Sequence, residues 1–220
     1  MTQLTSNTNI HIATLKKHNA TLRIWHWLNM VLIFGALITV LINAQLTDKS
    51  SLRNVEAQLV LKQKPVAHDD AFNVNHELRE KVWTIHTYIG YFIIGLFVLR
   101  IITELYTVKP QKFGSKIRFA YTAYLANKKI MEDGFHQLGI KITYCIFYVL
   151  LLMMSITGLM LAFEDNLELF HTYHKPIKKV HNFGMYIMLG FIVLHIAGVI
   201  YTELRKEKGI VSDMIHGGEV

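Results

Sequence analysis

Four stretches of this chain contain no Asp, Glu, Lys or Arg: Ile24–Thr47, Val82–Leu99, Ile142–Phe163 and Val180–Thr202. They run for 24, 18, 22 and 23 residues. A helix covers the hydrocarbon layer of a bilayer with about 20 apolar residues. Buried helices of soluble domains rarely go that far without a charge. Only helices and closed barrels satisfy their backbone groups in lipid, and these windows are too long for barrel strands. The predicted fold is an all-α membrane protein, a four-transmembrane-helix bundle forming one domain over residues 1–220. The spans are expected at about 22–47, 82–105, 135–163 and 180–204. A hydrophobic content of 52% agrees with this, as does a mean hydropathy of +0.29.

Four crossings put both termini on one side of the membrane. That side carries residues 1–23, 100–141 and 203–220, with 14 Lys and Arg against 7 Asp and Glu. The other side carries 48–81 and 164–179, with nine of each sign. An excess of Lys and Arg marks the cytoplasm. The expected location is therefore a bacterial cytoplasmic (inner) membrane, multi-pass, with both termini cytoplasmic. The chain's +7 charge then reflects orientation in lipid, and nucleic acid is not an expected partner. Residues 1–22 are polar and lack the apolar core of a cleavable leader, so the first span reads as an uncleaved anchor. The single cysteine, Cys145, allows no internal disulfide and reads as a small packing residue.

Two connections have recognisable patterns. In the outer loop 48–81, Leu52, Val55 and Leu59 share one face of a short helix that Pro65 ends. A loop of this length reads as a docking surface in preference to decoration. On the inner side, Ile117, Ala120, Tyr121, Tyr124 and Leu125 repeat with helical spacing among Lys116, Arg118, Lys128 and Lys129. That pattern predicts a basic amphipathic helix over about 116–129, flat on the inner leaflet. Trp25 and Trp27 belong at the interfacial end of the first span, and Arg100 can extend to phosphate level at the end of the second.

Ionisable side chains inside spans are costly and usually functional. His26, His86, His181 and His195 are four such groups. His181 and His195 are 14 residues apart, about 21 Å along a helix and about 40° apart around it. They share a face near opposite leaflets. Haem iron takes axial imidazole ligands, so one histidine from each of two helices makes a site. Direction of crossing sets the pairing. His26 and His195 lie towards the cytoplasm, and His86 and His181 lie towards the outside. The prediction is an outer haem on His86/His181 and an inner haem on His26/His195. His26 sits only two residues inside its window and His195 seven from the end of its own, so the first span must tilt or sit deep.

Gly90, Gly184 and Gly198 lie three or four residues after these histidines, where a missing Cβ admits a flat ligand or a neighbouring helix. His11, His18, His68, His76 and His216 read as solvated. His171 and His174 lie in the outer connection, solvated or lining a docking face. His136, at the inner start of the third span, is the candidate for donating to a quinone carbonyl.

Several segments resemble a known family. Arg23-Ile24-Trp25-His26-Trp27-Leu28-Asn29 looks like the opening of the b-type cytochrome subunits of membrane-bound nickel–iron hydrogenases, within the prokaryotic four-helix di-haem cytochrome b family. Ile85-His86-Thr87-Tyr88-Ile89-Gly90, with Leu99-Arg100 after it, is similar to the second span. Thr157-Gly158-Leu159 is similar to an element of the third. His181 and His195, followed by Gly209-Ile210-Val211-Ser212-Asp213-Met214-Ile215-His216-Gly217, resemble the fourth span and tail. Gamma subunits of formate dehydrogenase and stand-alone di-haem cytochromes share this core. The resemblance implies two haem b groups on the four histidines, with Arg23 and Arg100 also at the cofactors, and a membrane quinone as acceptor. A periplasmic redox subunit is the implied donor, because stand-alone members have short connections and the 48–81 loop is long.

The expected function is a di-haem membrane subunit passing electrons from a hydrogenase-like partner outside to the quinone pool. Moving one electron inward opposes the membrane potential by about 2.3 kcal/mol per 100 mV, so the donor must be strongly reducing. The alternative is a stand-alone cytochrome b that oxidises a small outer-face donor such as superoxide and reduces quinone. A haem-free transporter or scaffold is the more distant reading.

Overall fold

A computed structural model describes residues 20–46, 48–64, 66–106, 131–205 and 209–217. The chain is all-α, with no strand among these residues. The elements are α1 (Ala20–Gln45), α2 (Lys49–Leu61), α3 (His68–Tyr106), α4 (Met131–Ala162), a 3-10 turn (Glu164–Asn166), α5 (Glu168–Thr172), α6 (His174–Arg205) and α7 (Ile210–His216). Among the described residues four helices are long and apolar enough to cross a membrane: α1, α3, α6 and the Ile142–Ala162 part of α4. The expected basic amphipathic helix over 116–129 lies outside the described residues, as do His11 and His18.

The distribution of polarity is that of a protein in lipid. Ile24, Val31, Phe92, Val149, Phe183 and Leu194 are all exposed, whereas Asn29, Thr39, Asn43 and Thr157 are buried. Water would drive that arrangement apart; hydrocarbon stabilises it, because apolar side chains cost nothing there and hydroxyls and amides do.

Charge-free windows delimit the apolar part of a helix and not the helix itself. α3 starts at His68, so the segment expected as the latter part of an outer loop is a helical extension of the second span. The reason is local. His68–Lys81 contains no Gly or Pro, Asp69 and Asp70 sit in the first turn where the helix dipole favours them, and Lys81 pairs with Glu77 one turn back at 2.7 Å. The expected short helix is also present as α2. Asp48 caps it by accepting from the Ser50 N–H at 3.3 Å, and its Leu52 is buried. His68 Nδ1 and Glu56 Oε1, 2.8 Å apart, tie the start of α3 to α2.

Packing divides the chain into two units. In the unit Asn29–Met185, α3 packs along α4. Phe97 and Tyr148 face each other there with ring centroids 6.2 Å apart, and Leu150 and Leu151 are buried. The other unit joins Met1–Leu28 to Tyr186–Val220. In it α7 is held by side chains of α1 and α6, through bonds to Trp27 and Glu203.

Candidate functional site

The four histidines come together as the two expected pairs, one in each unit. His86 of α3 faces His181 of α6 with imidazole centroids 6.5 Å apart and planes at 82°. His26 of α1 faces His195 of α6 at 6.3 Å and 54°. Two imidazoles on opposite sides of one metal, at about 2 Å per bond and with each nitrogen about 1.2 Å from its ring centre, put the centroids about 6.4 Å apart. Both pairs have the spacing of a shared axial site. Among the described residues no three His, Cys, Asp or Glu gather as ligands for a metal ion. A pair of imidazoles suits a metal whose other positions a macrocycle fills, which is the haem case.

Hydroxyls define the chemistry of the first pair. Thr157 Oγ1 lies 2.9 Å from His181 Nδ1 and donates its own hydrogen to the Met153 carbonyl at 2.7 Å. Thr39 Oγ1 lies 2.8 Å from His86 Nδ1 and donates to the Ala36 carbonyl at 2.6 Å. A hydroxyl has one hydrogen. With that hydrogen on a backbone carbonyl, each Oγ1 accepts from the imidazole, so Nδ1 carries the proton. Nε2 of both rings is then left as a lone-pair donor, the state a metal ligand needs. Trp83 packs perpendicular to His86, centroids 5.4 Å apart at 86°. A Cβ at Gly158 would stand 3.2 Å from His181 Cε1, so the absence of a side chain there gives the imidazole its place.

Rings define the second pair. Phe191 lies one turn before His195 and parallel to it, centroids 6.2 Å apart at 3°. Trp27 packs perpendicular to His26, centroids 5.5 Å apart at 87°. Among the described residues no hydroxyl is bonded to His195.

Arg100 Nε donates to the Tyr148 hydroxyl at 3.1 Å, and its Nη2 lies 3.5 Å from Glu104 Oε2, so protein groups hold the guanidinium between α3 and α4. The guanidinium of Arg23 presses on Gly217. A Cβ at Gly90 or Gly198 would meet nothing within 4 Å, whereas one at Gly184 would strike Met153 Cε at 2.5 Å and Met154 Sδ at 2.6 Å. Gly184 therefore admits α4 side chains. His136 is carried by α4, and its side chain is outside the described ones. His68, His76, His171 and His216 are exposed, and His174 is bonded to Glu164. Cys145 is a free, exposed thiol.

The Thr39 hydroxyl is the functional group that sequence reasoning missed. A single threonine in an apolar span has an ordinary explanation in its bond to its own helix backbone, and only the imidazole beside it shows more.

A model of prokaryotic cytochrome b561 matches residues 17–217. The chain belongs to that family. No curated protein and no solved structure matches it. The family, four apolar helices and histidine pairs describe a multi-pass membrane b-type cytochrome in electron transfer, in contact with lipid, and the family binds haem b. The donor set fits that group. Two opposed imidazoles, one pair with its tautomers fixed for ligation, are what a bis-histidine haem requires.

Proposed function

We propose that this cytochrome is a di-haem electron conductor, taking electrons from a redox partner on the outer face and delivering them to quinone near the inner face. His86 and His181 hold the outer haem, and His26 and His195 hold the inner one. The observation that carries this reading is the pair of centroid spacings, 6.5 and 6.3 Å. Haem b supplies the reversible one-electron chemistry; the chain supplies ligation, burial and orientation. Thr39 and Thr157 keep two of the ligands in the Nδ1–H tautomer and fix their rotation. Gly90 and Gly198 leave space beside His86 and His195 for a flat group, while Gly184 lets α4 approach the helix carrying His181. Arg23 and Arg100 supply positive charge near the cofactors, the latter oriented by Tyr148 and Glu104. His136 is the proposed donor to a quinone carbonyl.

The charge asymmetry of the connections supports insertion in a bacterial cytoplasmic membrane with both termini in the cytoplasm. The helical hairpin of α2 and the start of α3 then stands on the outer face, where a periplasmic partner such as a hydrogenase-like subunit would meet it. Its helical order favours docking over an irregular loop.

A reduced-minus-oxidised spectrum with a haem-to-protein ratio tests the assignment on the purified chain. The expected ratio is two haems per chain. His86→Ala and His181→Ala should each remove the same haem, and His26→Ala and His195→Ala the other. Loss of one common haem from His86→Ala and His195→Ala overturns the pairing. Membranes supplied with a reductant confined to the outside should reduce quinone only when both pairs are intact.

A further inference from the structure

Gly209–Gly217 follows the last membrane-crossing helix and contributes no ligand, yet three contacts fix it. Glu203, near the end of α6, accepts from the Gly209 N–H at 2.8 Å through one carboxylate oxygen and from the Val211 N–H at 3.2 Å through the other. Trp27 Nε1 donates to the Met214 carbonyl at 3.1 Å. The Arg23 guanidinium occupies the space in which residue 217 would carry a Cβ, and Gly217 is buried there at φ +81. A side chain at 217 would meet both a strained backbone and a charged group.

These contacts reach both helices that carry the second histidine pair. Arg23 precedes His26 by three residues and Trp27 follows it directly. Glu203 lies eight residues after His195, about 12 Å along α6. A seven-residue helix is unstable alone, so α7 stays where these bonds put it. The reverse also holds. An indole has one hydrogen-bond donor, and its bond to Met214 fixes the plane of the Trp27 ring, which stands at 87° to the His26 imidazole with centroids 5.5 Å apart.

We propose that Gly209–Gly217 is a clasp between the His26 end of α1 and the end of α6, and that Trp27 and Gly217 are positioning residues for the His26 ligand. The clasp rests on the reading that His26 and His195 hold a haem. It makes the tail a determinant of one haem and not of the other.

The test uses the full-length protein in lipid nanodiscs, with Trp27→Phe, which keeps a ring and removes the N–H, and Gly217→Ala, which inserts a Cβ against Arg23. Redox titration and low-temperature electron paramagnetic resonance of the oxidised haems provide the readout. Both variants should shift the midpoint potential and the g values of the haem that His195→Ala abolishes, with the other haem unmoved and two haems still bound. Equal shifts of both haems, or no shift in either, overturn the clasp. Hydrogen–deuterium exchange of residues 209–217 gives an independent measure, since Trp27→Phe should cut amide protection there. Unchanged protection counts against the clasp even if Gly217→Ala fails to assemble. His26→Ala separates the two readings. If it leaves both haems bound, the haem assignment fails; if it removes one haem while the clasp variants change nothing, the clasp alone fails.

Discussion

The two histidine pairs have almost the same spacing but are held by different means. Both have a tryptophan perpendicular to the α1 or α3 member, Trp27 at His26 and Trp83 at His86. Beyond that they diverge. The His86–His181 pair is tied at both Nδ1 atoms to threonine hydroxyls, whereas His195 lies parallel to the phenyl ring of Phe191. A hydroxyl fixes tautomer as well as rotation, and its hydrogen bond raises the basicity of the imidazole. A stacked ring fixes orientation and leaves basicity alone. Stronger axial donation favours the oxidised metal and lowers its potential. The hydroxyl-backed pair should therefore be the lower-potential site. In the proposed orientation it is also the site nearer the donor, so electrons would run downhill from outside to inside at the chemical level.

Removing both hydroxyls should give the largest change in that comparison. Thr39→Val with Thr157→Val should weaken the first haem's binding by about 10–100-fold, the usual scale for outer-shell partners of a metal ligand. Any haem retained there should titrate at a higher potential, closer to its companion. Haem retention during gel filtration and a redox titration would measure both effects. Thr157→Ser keeps the hydroxyl and should restore the parent behaviour. If the double valine variant binds two haems with unaltered potentials, the contrast between hydroxyl and ring support has no consequence.

These hydroxyls also show where the sequence stops being legible. The four spans follow from the absence of charge, and the four candidate histidines follow from the cost of placing imidazoles in lipid, because both are properties of residue type. His181 and His195 share a helix face by arithmetic alone. Thr39 carries no such mark, since an isolated hydroxyl on a lipid-embedded helix can satisfy itself on the preceding turn. α1 carries it about 20 Å past His26 at helical rise, and its meeting with His86 depends on how another helix approaches. The extension of α3 back to His68 escaped for a different reason. Charge delimits hydrocarbon, whereas helix continuity depends on the absence of Gly and Pro and on favourable first-turn acids. The tail is legible only as a sequence likeness; Glu203, Trp27 and Arg23 give it a structural role.

A smaller effect is expected at Gly158. A Cβ there would approach His181 Cε1 to 3.2 Å, tighter than ordinary van der Waals contact, and Cε1 lies between the two ring nitrogens. Gly158→Ala should turn the imidazole slightly about its bond to Thr157. The expected result is a change in the resonance spectrum of the first haem with haem content preserved. The haem assigned to His26 and His195 serves as the internal reference, and a change confined to it would contradict the assignment of His181 to the first site.

On the ring-supported side, Phe191→Leu keeps apolar volume and removes the parallel aromatic face. Aromatic pairs contribute about 0.5–1.5 kcal/mol beyond the area they bury, so the variant should lose a modest part of the second haem's retention and broaden its resonance signal as His195 gains rotational freedom. Its potential should move less than that of the first haem in the valine variants, because no hydrogen bond to the ligand is lost. A larger potential shift from Phe191→Leu than from Thr39→Val would reverse the ranking of the two kinds of support.

The smallest effect should come from Tyr148→Phe, which removes the acceptor for Arg100 Nε and leaves Glu104 beside the guanidinium. Side-chain hydrogen bonds between membrane helices are worth about 0.6 kcal/mol on average, so thermal stability should barely change. The sharper readout is the potential of each haem at varied ionic strength, because Arg100 lies 14 residues past His86, about 21 Å along α3. A guanidinium released from Tyr148 but still paired with Glu104 keeps its charge in place, and both potentials should hold. If Tyr148→Phe shifts either potential as much as the threonine variants shift the first, then the placement of Arg100 joins the hydroxyls in setting it. The difference between the two sites would then be electrostatic as well as a matter of ligand basicity.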